Sequence, residues 1–156
     1  MAETLGTLCD KLATVKLKLW HTDDQPRIES LRAQEKQLHQ EIEEFIAAAL
    51  AGEIPTERLT FAANKVYKKE GNTVPDFKGT LGEMFSQLAH TNCKLWHVQE
   101  KVYEFEAVPA TEKDAVIKDL AIVNLERNHS IDKLDEEFRR LVEQVRKPTP
   151  PKPEAS

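Results

Sequence analysis

The chain has 156 residues, 40% of them apolar and 31% charged, with a formal net charge of -5. This is the balance of a globular domain with a core to bury, and its acidity argues against nucleic acid or an anionic membrane surface as partner, since both need a basic footprint. Mean hydropathy is -0.55, and no apolar run approaches the ~18 residues of a membrane span.

The N-terminus, Met1-Ala2-Glu3-Thr4-Leu5, carries no basic patch followed by an apolar stretch, so the expected address is the cytoplasm. Two cysteines, Cys9 and Cys93, are too few for a disulfide framework and lack metal-ligand spacing. Both are expected to be buried free thiols.

Helical periodicity opens at once, with a first helix predicted over 3–22 and a second over 26–51. Pro26, Pro55, Pro75 and Pro109 each fall where apolar periodicity lapses, and a proline interrupts a helix by removing an N–H and crowding the preceding turn. Gly52 and Gly71 follow helical runs as left-handed caps do. A short helix is expected over 56–70, then a loop through Gly71 to Pro75. Thr80 and Glu83 make a capping box that starts a third helix, 80–106, and a fourth runs over 111–146.

No segment alternates as a strand does. The expected fold is therefore all-α: an antiparallel four-helix bundle of two helical hairpins with a short connecting helix. Residues 1–146 form one domain, and the end, with Pro148, Pro150, Pro151 and Pro153, is expected to be a disordered tail over 147–156.

Lys18-Leu19-Trp20-His21 recurs as Lys94-Leu95-Trp96-His97, 76 positions later, and these are the chain's two tryptophans. On the same shift Leu5 meets Leu81, Gly6 meets Gly82, Leu12 meets Leu88 and Asp24 meets Glu100. Either the chain is a duplication of a helical hairpin, or two helices with one task converged on similar residues.

At about 100° per residue, Leu5, Leu8, Leu12, Val15 and Leu19 point inward from the first helix, with Trp20 on the flank and His21 outward. In the third helix Leu81, Met84, Leu88, Leu95, Val98 and Val102 are inward, with Trp96 on the flank and His97 outward. The fourth helix carries Ile117, Leu120, Ile131, Leu134, Phe138, Val142 and Val145 as its expected stripe. Glu126 and His129 have the Glu-x-x-His spacing of carboxylate-bridged metal sites, but they fall on the side away from that stripe. No metal or other cofactor is implied.

Polar residues interrupt the stripes near mid-helix: Glu35 beside Gln34 in the second helix, Asn92 and Gln99 in the third, and Asn124, Arg127 and Asn128 in the fourth, with Asp135 following. Unpaired polar groups are costly to bury, so these must pair, hold water or face a cavity. One reading is a network that fixes helix register, with a Glu35–Arg127 pair. The other is a pocket in which Arg127 grips an anion among orienting amides.

Residues 95–135 carry Trp96-His97-x-x-Glu100 and then Asn124-x-x-Arg127-Asn128-x-x-Ile131-Asp132. This segment resembles a bacterial domain-of-unknown-function family of small helical proteins, which implies an all-helical bacterial protein and assigns no catalytic role.

Three functions follow from the residues, the weakest of them a metal-binding bundle built on the Glu126 and His129 spacing. The first is a structural or protein-interaction module, with Leu17 and Trp20 on one helix and Cys93 and Trp96 on another forming an apolar ridge for a protein partner or a second copy. In the bland version, Leu59, Phe61, Val66 and Tyr67 cover that ridge. The second is a small anionic ligand binder, or an enzyme, built on Arg127, Asn124, Asn128, Asn92, Gln99 and Glu35.

Overall fold

The computed structural model describes residues 2–61 and 78–147. Four helices carry the chain: α1 Leu5–His21, α2 Gln25–Leu50, α3 Leu81–Tyr103 and α4 Lys113–Arg146. The fold is the all-α four-helix bundle, and each long helix lies within two or three residues of its predicted span. The expected short helix reduces, among the described residues, to a single 3-10 turn at Thr56–Arg58. Val66, Tyr67, Gly71, Pro75 and the proline-rich end fall outside the described residues.

Local chemistry sets the helix ends. Thr4 and Thr7 close a reciprocal capping box on α1, and Thr80 and Glu83 close one on α3. The Asp24 side chain accepts from the Arg27 N–H (3.1 Å) and Pro26 occupies the first turn of α2, where a missing N–H costs nothing. Gly52 ends α2 at φ +81, with the Glu53 N–H reaching back to the Ala48 carbonyl. A second 3-10 turn, Phe105–Ala107, follows α3, and the Lys113 ammonium lies 4.8 Å from the Phe105 ring centroid.

α1 and α2 form one hairpin and α3 and α4 the other. The hairpins sit with α1 running parallel to α3. Asp10, in the first half of α1, meets Asn92 at the middle of α3, and His21 at the end of α1 meets Trp96 in the second half of α3. α2 likewise runs parallel to α4, through Phe45 against Phe138 and Gly52 against Arg146. α1 also crosses to α4, whereas α2 and α3 barely meet.

Near the start of α1 the core is dense. Leu5, Cys9, Ala49, Leu59, Met84, Leu88, Leu134, Phe138 and Val142 form one buried cluster, and Leu59, just past the 3-10 turn, is fully buried in it. Leu8, Val15, Leu31 and Leu38 pack a second cluster between α1 and α2.

The closest approach of backbones is at Gly6. A Cβ there would stand 2.8 Å from both Asp135 Oδ1 and the Ile131 carbonyl oxygen, so only glycine lets α1 lie against α4. Its N–H donates to Asp135 Oδ1 at 2.7 Å.

The predicted stripe of α4 needs one correction. Ile117 and Val145 are exposed, while Val116 and Val123 are buried. The inward line runs 116, 120, 123, 127, 131, 134, 138, 142, buried throughout except for the half-buried Leu120 and Arg127, a period near 3.6, so positions 117 and 145 lie about one residue's rotation off it. Arg127 falls on that line.

Candidate functional site

Where the line of α4 reaches Arg127, the core gives way to a cleft of about 590 Å³ between α1, α3 and α4. Its residues recur at helical spacing. Thr14, Leu17, Lys18 and His21 share one face of α1. Asn92, Leu95, Trp96, Gln99, Glu100 and Tyr103 share one face of α3, and Arg27 reaches in from the first turn of α2.

Arg127 is the anomaly. Its Nε is buried and has no hydrogen-bond partner. A guanidinium is never deprotonated and carries five donors in a fixed fork, so a buried N–H without an acceptor costs about 1–3 kcal/mol. The neighbouring groups do not offer one. Asn92 points its amide N–H₂ at Asp10 Oδ1 (3.0 Å) and the Leu88 carbonyl (3.2 Å). Glu100 accepts from Trp96 Nε1 at 2.9 Å and faces His97 at 3.5 Å.

The aromatic wall is ordered by contacts across helices. The His21 ring stacks on Trp96, with centroids 4.5 Å apart and planes at 21°. His21 Nδ1 donates to the Leu17 carbonyl at 2.7 Å, which holds the imidazole in place. His21 is thus exposed, as expected, yet it is also the lid of a ring stack. Tyr103, at the end of α3, presents a ring that is 87% exposed.

Of the residues singled out from the sequence, Arg127, Asn92 and Gln99 come together in the cleft, with Trp96 and Leu17 in its walls. Asn124 and Asn128 do not line it. They are half-buried, on the flank of the buried line that passes through 123 and 127. Glu35 is elsewhere: its carboxylate accepts from Lys16 Nζ at 2.7 Å, and that bond holds its pKa below the usual range. The expected Glu35–Arg127 pair is not formed, because α2 at this height faces α1. Gln34 is exposed.

Thr14, Lys18, His21, Arg27, Glu100 and Tyr103 also line the cleft, beyond the candidates that the polar interruptions pick out. The signal for them was the three-to-four spacing of polar residues beside the apolar stripes, visible only once two helices are known to lie side by side.

Asp135, one of the polar interruptions, belongs to a different structure. It is 3% exposed and takes bonds from the Gly6 N–H and the Thr4 side chain. Burial pushes its carboxyl up to about 6, and those two bonds hold it down only in part. Burial, with Asp135 and Asp10 nearby, pushes the Cys9 thiol up to about 12, so it is inert as a nucleophile. Cys93 is exposed, contrary to expectation.

Glu126 and His129 were expected to face outward. Both are half-buried instead, and Glu126 accepts from Lys94 Nζ at 2.7 Å between α3 and α4. Among the described residues no three His, Cys, Asp or Glu side chains are grouped to hold a metal ion. No helix among them is long and apolar enough to cross a membrane.

Beyond Leu17, which borders both, Leu12 and Trp20 face Phe85, Leu88 and Cys93 across an almost wholly apolar groove of about 430 Å³. Trp20 stands at it 85% exposed. No protein-family model matches this chain, and no curated protein or solved structure matches it.

Proposed function

We propose that the chain binds a small anionic ligand in the cleft between α1, α3 and α4, with Arg127 as its anchor. The observation that supports this is the buried Arg127 Nε without a partner. Lys18 and Arg27 enter the same space from two other helices. An unpaired buried donor in a native structure calls for an explanation, and an anion held where Arg127 lines the cleft would meet its guanidinium fork with charge-assisted bonds. The volume lies in the range of small-molecule pockets, roughly 300–1,000 Å³.

Thermal unfolding in the presence of a panel of small carboxylates, phosphates and sulfates tests the reading. At least one is expected to raise the melting temperature of the wild type and not that of Arg127→Met, since a ligand of the native state stabilises by mass action. Equal shifts in both proteins, or none in either, contradict it.

A second reading, self-association, is favoured by Trp20. An isologous interface needs one patch that is its own complement, and the α1–α3 face offers a protruding indole beside an apolar groove. Sedimentation of the wild type and Trp20→Ser checks this: a concentration-dependent dimer that the substitution abolishes supports it, and a monomer at all concentrations removes it.

A further inference from the structure

We propose that the ligand of the Arg127 cleft is a phosphate monoester carried on a planar ring, the chemistry of a nucleoside monophosphate. This rests on the reading that the cleft takes an anion and goes on to its class.

Charge is the first argument. Lys18, Arg27 and Arg127 line the cleft with one carboxylate, Glu100. Three cations less one anion leaves +2, in a chain whose net charge is -5. Those three cations come from α1, α2 and α4, so they converge through the fold and not through a basic run of sequence. A monocarboxylate would neutralise one of them. A phosphate monoester carries about -1.5 to -2 at pH 7 and matches the surplus.

Shape is the second. Along α3 the cleft extends from Asn92 to Tyr103, eleven steps, or about 16 Å of helix rise. That length and a volume near 590 Å³ exceed what a lone inorganic ion fills. Aromatic rings occupy the same cleft: the His21–Trp96 stack and the Tyr103 ring, which is 87% exposed. Exposed aromatic faces stack bases without regard to sequence.

Glu100 is the third. A carboxylate weakens an anion site unless the ligand offers it donors, and Trp96 Nε1 fixes this one at the aromatic wall. A ring amine or sugar hydroxyls would meet it there, with the phosphate at Arg127.

Calorimetric titration of the full chain with adenosine 5′-monophosphate, adenosine, inorganic phosphate and benzoate tests the class. The nucleotide is expected to bind at least about tenfold more tightly than either of its fragments. Arg127→Met should abolish that binding. Tyr103→Ala, at an exposed position that leaves packing untouched, should weaken the nucleotide several-fold and leave inorganic phosphate unchanged. Lowering the pH through the second phosphate ionisation, about 6, should weaken the nucleotide as it becomes a monoanion.

Adenosine or phosphate binding as tightly as the nucleotide overturns the proposal. Benzoate binding that depends on Arg127, without nucleotide binding, overturns the phosphate class and leaves the anion site standing. No binding by any of the four overturns both.

Discussion

Two polar interruptions in the same bundle are built on opposite terms. At Gly6 and Asp135 the helices touch, and the carboxylate is enclosed with the Gly6 N–H and Thr4 bonded to it. At Arg127 the helices part, and a buried donor is left without an acceptor. The closed seam fixes where α1 lies on α4. The open one leaves a buried donor that no group of the bundle meets. A polar residue on a buried line therefore has no single meaning: what matters is whether the opposite helix supplies a backbone or side-chain partner at that height.

Gly6→Ala should break the closed seam most severely. The new Cβ meets a backbone oxygen that cannot turn aside, so urea denaturation should show a loss of about 2–3 kcal/mol. Gly82, its counterpart on the 76-residue shift, has open space around it. Gly82→Ala should stabilise α3 by up to about 1 kcal/mol through helix propensity.

Asp135 should tie the closed seam to pH. Its pKa is raised in the folded state from 3.8 to about 6, so the native chain holds that proton more tightly than the unfolded chain. The stabilisation is fully present below pH ~4 and is lost as pH rises through ~6, about 3 kcal/mol in all at 1.36 kcal/mol per unit. Glu3, Glu35 and Glu137, whose pKa values are lowered, contribute with the opposite sign. Subtracting the profile of Asp135→Asn cancels them, and the difference between the two proteins should carry the Asp135 slope alone.

Arg127→Met should do the reverse of a seam mutation. Removing an unsatisfied donor at constant shape is neutral or stabilising by up to about 1 kcal/mol. A loss of several kcal/mol on urea denaturation would make Arg127 a register residue.

The smallest effect separates the two tryptophans. With Trp96→Phe the remaining Trp20 should emit to the red and quench readily with acrylamide. With Trp20→Phe the remaining Trp96, half-buried and stacked under His21, should emit further to the blue and resist quenching.

Much of the fold was legible in the sequence because helix ends are written in local chemistry: Thr80 with Glu83, the break at Pro26, Gly52 after an apolar run. The phase of α4 was only partly legible. Ile117 and Val145 are as apolar as the buried Val116 and Val123, and composition alone does not choose between neighbours on a helix.

Arg127, Asn92 and Gln99 were recognisable as interruptions of apolar stripes. Their companions Lys18, Arg27 and Tyr103 were not, since which helices adjoin is set by long-range packing. The repeated Lys-Leu-Trp-His likewise says nothing of what each copy meets. Lys18 lines the cleft while Lys94 pairs with Glu126, and Trp20 is exposed while Trp96 is stacked. Like residues met unlike neighbours.

The Arg127 Nε–H resonance, assigned by its loss in Arg127→Met, reports directly on the open seam. In ligand-free protein it should lie at the shift of an unbonded guanidinium, then move downfield and exchange more slowly as adenosine 5′-monophosphate is added. A resonance already shifted and protected without ligand, and indifferent to the nucleotide and to the other anions, would contradict the account.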